Sequence, residues 1–229
     1  WEKAGELILA EAAEFASKSA PGEAILLYKN NIDNKGASYG AHENYLVDRA
    51  VPFRDLVSHL VPFLASRQIM CGSGRVGRKQ DGSVSECQLS QRADYIETEV
   101  GLETALKRPI VNTRDEPHAD PALFRRLHLI IGDANMCDTA IFMKHATTSL
   151  ILNLIESGSA KEPLRLENPV AAVHQISHDP TLRTTLALAD GRRMSALDIQ
   201  WHYFESIAAQ LRHQETDEQT QLAMTTWES

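Results

Sequence analysis

The chain has 229 residues, 43% of them hydrophobic, which is enough for one large domain with a sizeable core. Its 31 acidic and 23 basic residues give a formal net charge of -8 at pH 7, which argues against a protein that binds nucleic acid through a basic surface. The 3 cysteines form no CxxC pair, so structural zinc is not indicated and reduced thiols of a cytoplasmic protein are expected.

No stretch is long and apolar enough to cross a bilayer, and the first residues lack a signal pattern, so we expect no membrane association. The first residues have the pattern of a helix that is already under way, and the last residues stop abruptly after a helical pattern. We therefore expect an internal piece of a longer cytoplasmic polypeptide.

Hydrophobic periodicity predicts both helices and strands. Helices are predicted over residues 1–18, 52–70, 138–156 and 196–212, with a break or restart at Pro62. Strands are predicted over residues 24–28, 41–47, 124–131 and 182–191. Because strands and helices do not alternate in a steady rhythm, the fold class is predicted as α+β with an antiparallel sheet.

A GxGxxG pattern, GSGRVG, occupies residues 72–77. The dinucleotide-binding fingerprint requires a strand before it and a helix after it, whereas turn-forming residues follow here at 78–83. The segment is predicted as a hairpin or mobile loop, with a dinucleotide site as the alternative.

The segment 88–136 is the richest in candidate functional residues. In its strand FRRLHLII, period-two alternation places Arg126 and His128 together on one face. Arg92 and Arg114 lie in the polar, turn-like stretches SQRAD and NTRDEP. Guanidinium groups match phosphate oxygens and neutral imidazole binds divalent metals, so these residues suit a polyphosphate with its metal ions.

His42 is a second candidate metal ligand, since it begins the polar half of the strand 41–47. Such a pair holds a magnesium-type ion only with added carboxylates, and both histidines could instead be partly buried structural side chains. The carboxylates considered as ligands are Glu43, Glu97 and Glu99. The acidic residues that could instead pair with the three arginines are Asp94, Asp115 and Asp133.

Three long runs resemble one protein family: AILLYKNNIDNKGASYGAHENYLV, QLSQRADYIETEVGLETALKRPIVNTRDEPHAD and RRLHLIIGDANM. They are similar to the enzymes that act on prokaryotic ubiquitin-like protein, Pup. This family contains Pup ligases and depupylases, the latter also deamidating Pup, and is related in fold to glutamine synthetase. The stretches GASYG and DYIETEVGLET resemble the depupylase branch.

The resemblance implies a glutamine synthetase-like antiparallel sheet that cradles ATP, or ADP and phosphate, together with magnesium. Position by position, it implies magnesium ligands at His42 and His128. It likewise implies phosphate-binding arginines at Arg92, Arg114 and Arg126.

The resemblance also implies that residues 1–229 are the central part of one catalytic domain. A catalytic aspartate, acting as nucleophile or as base, is expected before Trp1, and the C-terminal domain of the family after Ser229. No residue of this chain is assigned as a nucleophile, because it contains no GxSxG and no P-loop. The isolated chain is therefore expected to be inactive.

The implied activity is ATP- and Mg-dependent hydrolysis of the isopeptide bond between the C-terminal glutamate of Pup and a substrate lysine. Deamidation of a C-terminal glutamine of Pup is the second implied reaction. The implied partners are Pup, pupylated proteins and the proteasome system. The alternatives are a Pup–protein ligase and a non-catalytic Pup- or nucleotide-binding module.

Overall fold

The computed structural model describes residues 2–19, 22, 24–33, 37–78, 84–212 and 214–229. The helices are α1 (Glu2–Ser19), α2 (Phe53–Cys71), α3 (Asp138–Glu156), α4 (Pro169–Ser177), α5 (Ala196–Leu211) and α6 (Glu218–Glu228). The strands are β1 (Glu43–Asp48), β2 (Arg75–Arg78), β3 (Val84–Gln88), β4 (Ile96–Gly101), β5 (Arg108–Asn112), β6 (Phe124–Leu129), β7 (Thr185–Ala187) and β8 (Arg193–Ser195). No helix in these ranges has the length and apolar character that spanning a membrane requires.

The central sheet has four strands in the order β1-β6-β5-β4. The pairs β1–β6 and β6–β5 are antiparallel, as predicted, whereas β5–β4 is parallel. The α+β class predicted from the sequence is confirmed. The parallel pair departs from the predicted antiparallel sheet because the hydrophobic pattern of a strand does not encode the direction of its neighbour.

Helix α2 lies at the centre of the core, where it packs against α3, α4 and α5. The predicted break at Pro62 was wrong, because α2 continues through this residue. Leu60, Phe63 and Leu64, on both sides of the proline, are at most 2% exposed. Their burial favours a continuous helix and offsets the hydrogen bond that a proline cannot donate.

The helices predicted at 138–156 and 196–212 correspond to α3 and α5. Helix α4 was not predicted, although its start carries a recognisable signal. The Asn168 side chain accepts a hydrogen bond from the backbone N–H of Ala171, and Pro169 takes the first helical position. We attribute the miss to its length of 9 residues, too short for a strong periodic pattern.

The strand predicted over residues 24–28 was wrong, since these residues have no regular secondary structure. Their apolar side chains are exposed, from 45% for Ile25 to 81% for Tyr28. Strand propensity alone does not make a strand when no neighbouring strand hydrogen-bonds to it. The strands predicted at 41–47, 124–131 and 182–191 contain or overlap β1, β6 and β7.

The glycine-rich segment leads into β2, which pairs with β3 as a hairpin, and residues 79–83 lie outside the described residues. A Cβ on Gly72 would lie 2.1 Å from the backbone oxygen of Leu89, so only glycine fits there. Gly74 has a φ of +68°, which also favours glycine. Gly72 therefore allows a close approach of two backbone segments, and Gly74 allows a turn. The dinucleotide alternative was wrong, because the strand β2, and not a helix, begins directly after Gly74.

Candidate functional site

The open face of the β1–β6 pair brings together the residues singled out from the sequence. The strand register places Asn44 opposite His128 and Leu46 opposite Arg126. On the other face of β1, Glu43 and Val47 are buried. The predicted assignment of residues to the two faces of these strands is confirmed, because period-two alternation fixes the face once one side is buried.

His42 and His128 contact each other directly. Nδ1 of His42 lies 2.8 Å from Nε2 of His128, and the ring centroids are 4.9 Å apart. A Cβ on Gly40 would lie 2.6 Å from Nε2 of His42, so the imidazole occupies the space that a side chain at residue 40 would fill. Gly40 therefore permits the contact between the two rings.

The electrostatic surroundings keep both imidazoles neutral at pH 7. Burial, followed by the charges of Arg92, Arg114, Arg126 and Arg108, lowers the pKa of His42. Burial, followed by His42 and two of the same arginines, lowers the pKa of His128 to about 4. Neutral imidazole is the form that binds a metal ion.

The chemistry of this pair fits part of a ligand set for a divalent ion. Nδ1 of His128 is buried and has no hydrogen-bond partner among the described residues. The same residues contain no group of three or more histidines, cysteines or carboxylates placed to hold a metal. Among the described residues, the candidate ligand set is therefore the two imidazoles, without a carboxylate grouped with them.

The three arginines differ in their freedom. Arg92 is 1% exposed and donates from Nη1 to the backbone oxygens of Ile130, at 2.7 Å, and of Gly132. Burial lowers its pKa to about 10. Arg126 is half-buried and donates to Glu116 at 3.0 Å, while Arg114 is exposed. Arg92 therefore braces the loop after β6, and Arg114 and Arg126 are more accessible to a ligand.

The carboxylates considered as ligands bind another group or lie on another strand. Glu43 accepts hydrogen bonds from Arg67 at 2.7 and 2.8 Å and from the Tyr45 hydroxyl at 2.7 Å. These bonds and the charge of Arg67 outweigh burial and lower the pKa of Glu43. Glu97 and Glu99 are exposed on β4.

The aspartates considered as partners of the arginines mostly bind other groups. Asp115 accepts two hydrogen bonds from Arg49, at 2.9 and 3.0 Å. Asp94 pairs with His178 at 2.8 Å. Asp133 accepts from the backbone N–H groups of Gln91 and Arg92, at 3.0 and 3.2 Å.

Asn112 belongs to the site and was missed from the sequence. It lies opposite His128 in the register of β5 and β6. Its side chain donates to the backbone oxygen of Leu102 at 3.1 Å and accepts from the N–H of Arg114 at 2.9 Å. Asparagine often organises a local turn in this way, which is the sequence signal that could have identified it.

A cavity of about 1370 Å³ adjoins the histidine pair. Its wall includes His42, Asn44 and Tyr45 from β1 and its approach, and Lys144 and His145 from α3. The cavity is large enough for a nucleotide or the end of a peptide.

Residues 1–229 match a family model described as "Pup-ligase protein". Over 232 residues the chain is 53% identical to a depupylase of Acidothermus cellulolyticus, covering 100% of this chain and 46% of that relative. Over 228 residues it is 54% identical to a Pup deamidase/depupylase of Mycolicibacterium smegmatis, covering 99% of this chain and 46% of that relative.

Among solved structures, the Pup ligase PafA in complex with ADP matches with a TM-score of 0.87 and 39% identity, over 99% of this chain and 52% of that one. The chain thus spans about half the length of the curated relatives it matches. The structural match confirms the glutamine synthetase-like fold expected from the sequence. By its motifs, its fold and its full-length match to the family model, this chain belongs to the Pup-ligase protein family.

Proposed function

We propose that this chain is the central part of the catalytic domain of a depupylase that is also a Pup deamidase. The proposed reactions are hydrolysis of the isopeptide bond between the C-terminal glutamate of Pup and a substrate lysine, and deamidation of a C-terminal glutamine of Pup. The contact between His42 and His128 beside the arginines carries the proposal. Identities of 53% and 54% to relatives named for these activities favour this branch of the family.

We further propose that the site holds ATP, or ADP and phosphate, with magnesium. His42 and His128 would contribute metal ligands, and Arg92, Arg114 and Arg126 would be the phosphate-binding arginines. Arg114 and Arg126 would face the phosphates, while Arg92 would add its positive charge from a buried position. The matched Pup ligase was solved as a complex with ADP, which supports a nucleotide at the corresponding sheet of this chain. A metal bound with the nucleotide would supply positive charge that stabilises the negative charge developing on the attacked carbonyl oxygen.

The chain's own residues orient these groups and hold them in place. Asn112 fixes Arg114 beside the histidine pair, and Arg92 braces the loop after β6. The catalytic aspartate, as nucleophile or base, is proposed to precede Trp1. Pup, pupylated proteins and the proteasome system are the proposed partners.

The proposal is tested with the full-length protein, a Pup conjugate and Pup with a C-terminal glutamine. We expect release of free Pup and of ammonia, each dependent on magnesium and nucleotide. His128→Gln should reduce both rates about tenfold or more, because it removes a metal ligand. His59→Gln is the matched control, since His59 lines a different cavity with Arg54 and Asp55.

Absence of both reactions in the full-length protein contradicts the proposed function. The alternative is a Pup–protein ligase, which the 39% identity to PafA supports. Consumption of ATP in step with conjugate formation would identify it. Binding of Pup without any turnover would identify a non-catalytic binding module.

A further inference from the structure

The first turn of α1 inserts a carboxylate among three basic side chains. Oε1 of Glu2 lies 2.7 Å from Nζ of Lys29, and Oε2 lies 3.4 Å from both Nζ of Lys144 and Nε2 of His145. All four residues line the cavity of about 1370 Å³ that His42 also lines. A carboxylate-binding arrangement therefore shares a cavity with the histidine pair.

A buried lysine beside Glu2 favours a carboxylate at this position. The side chains of Lys144 and Arg67 are 3% and 2% exposed, and the charges of both act on Glu43. The Glu43 carboxylate forms its two short contacts with Arg67. Besides Glu2, Lys144 reaches the backbone oxygen of Asp133 at 3.1 Å. The buried carboxylate of Asp133 accepts instead from Ser90 and from the backbone N–H groups of Gln91 and Arg92. The carboxylate in ion-pair range of the buried Lys144 ammonium is that of Glu2, so an anion is favoured at this position.

The helix that supplies Glu2 is held to the rest of the chain by ion pairs and not by buried side chains. Helix α1 has no buried residue. Ion pairs connect its first turns to the rest of the chain, from Glu2 and Glu6 to Lys29 and from Lys3 to Asp138. Partly exposed ion pairs of this kind contribute little stability each. A ligand carboxylate can therefore take the place of the Glu2 side chain at low cost.

We propose that Lys29, Lys144 and His145 form a binding site for the α-carboxylate at the C-terminus of a peptide, which Glu2 occupies in the absence of the peptide. The identity of that peptide as Pup rests on the proposed function. The reacting side chain of Pup belongs to its C-terminal residue, so its α-carboxylate is only a few bonds from the reacting carbonyl. Recognition of this carboxylate selects a C-terminal residue over an internal one.

The test compares two peptides that differ in one group. Both carry the C-terminal sequence of Pup ending in glutamine, one with a free α-carboxylate and the other with an α-amide. Binding to the full-length protein is measured by fluorescence anisotropy, and ammonia release is measured on the same samples. We expect the free acid to bind about tenfold more tightly, since hydrogen bonds between charged groups are stronger than neutral ones.

Three variants and one control locate the preference. Lys29→Met and Lys144→Met should each remove most of the tenfold difference, and Lys29→Met, at a partly exposed residue, guards against a folding defect of the buried variant. Glu2→Gln should strengthen binding of the free acid about threefold by weakening the internal competitor, without changing binding of the amide. Lys18→Met is the control, because Lys18 pairs with Glu14 on the exposed part of α1.

Equal binding of the two peptides, including no binding of either, overturns the proposal, as does an unchanged preference in both lysine variants. Ammonia release decides the proposed function separately. A preference for the free acid without ammonia release would support the carboxylate site and contradict the deamidase assignment. Equal binding of the two peptides with ammonia release would contradict the carboxylate site and support the deamidase assignment.

Discussion

At the scale of single residues, Gly40 shapes the histidine pair. A Cβ at this position would lie 2.6 Å from Nε2 of His42, at the end of a side chain that can rotate away. We therefore expect Gly40→Ala to displace the imidazole from His128 and to weaken magnesium-dependent binding of ADP about tenfold, with little change in melting temperature. Calorimetric titration of ADP with and without magnesium measures the effect.

Gly5→Ala is the matched control, since a Cβ on Gly5 meets nothing within 4 Å. Wild-type affinity in Gly40→Ala would show that the position of the His42 ring does not matter for nucleotide binding. An equal loss of melting temperature and affinity would indicate a general folding defect.

Asp94 gives a pH dependence to stability. Burial acts to raise its pKa, but hydrogen bonds from Gln88 and His178 and the charge of Arg75 outweigh burial and hold the pKa below its usual value. A carboxyl with a lowered folded-state pKa stabilises the fold above its unfolded pKa, and this contribution is lost as pH falls through the folded one. We expect Asp94→Asn to flatten the fall in melting temperature below about pH 4.

Thermal unfolding followed by circular dichroism over a pH series tests this expectation. Glu11→Gln, at an exposed position of α1, should retain the acid dependence of the wild type. Identical pH profiles of Asp94→Asn and wild type would contradict the assignment of acid sensitivity to Asp94.

At the scale of secondary-structure elements, the ion pair between Arg67 and Glu43 connects α2 to β1, and Arg67 also donates to Thr148 of α3 at 2.6 Å. Gly132 packs against this pair, since a Cβ there would lie 2.5 Å from Oε1 of Glu43 and 3.3 Å from Nη2 of Arg67. We expect Gly132→Ala to lower the free energy of unfolding by about 1 to 3 kcal/mol through overpacking. Urea denaturation measures the loss.

Gly101→Ala serves as the comparison, because a Cβ on Gly101 would make only ordinary contacts, the nearest at 3.4 Å. Similar unfolding free energies for Gly132→Ala and the wild type would mean that the loop after β6 shifts to accommodate the methyl group.

The strand faces of the site could be predicted from sequence, but its ion pairs could not. Alternation within β1 and β6 placed Asn44, Arg126 and His128 correctly, because the pattern is local. The pairing of Arg67 with Glu43 joins two elements that are remote in sequence, and no short-range pattern encodes such a contact. The same reason explains why Asp115, considered as an ion-pair partner of the site arginines, forms its ion pair with Arg49 and accepts only a backbone N–H from Arg126.

At the scale of the whole molecule, the described residues bring potential metal and phosphate ligands together without a nucleophile beside them. Cys71 is buried and burial raises its pKa to about 11, and neither of the exposed Cys87 and Cys137 is among the residues that line the histidine pair's cavity. We expect the 229-residue chain, expressed alone, to release no Pup from a conjugate. Release by this chain in a gel-based cleavage assay, above the level of a His128→Gln sample, would contradict the assignment of the catalytic aspartate to a segment before Trp1.

The family could be predicted because the sequence contains long family motifs. The fold class could be predicted because long helices such as α3 and α5 have a strong hydrophobic period. The features that were predicted wrongly depend on tertiary contacts. Pro62 stays within α2 because the residues around it are buried, and residues 24–28 form no strand because nothing in the described part of the chain pairs with them. Both outcomes depend on neighbours that a local pattern does not specify.

The parallel pairing of β4 with β5 limits how the chain length there can vary. The register aligns Ile96 with Arg108 and Gly101 with Asn112, so residues 102–107 must return along the whole of β4. That return covers about 17 Å, at roughly 3.3 Å per residue along a strand. The seven steps from Gly101 to Arg108 reach about 23 Å when extended, which leaves about 6 Å for the two turns. Most surface loops tolerate deletions, but the removal of two residues here would leave too short a connection. Relatives that keep this pairing should therefore vary in the composition of the segment and not in its minimum length.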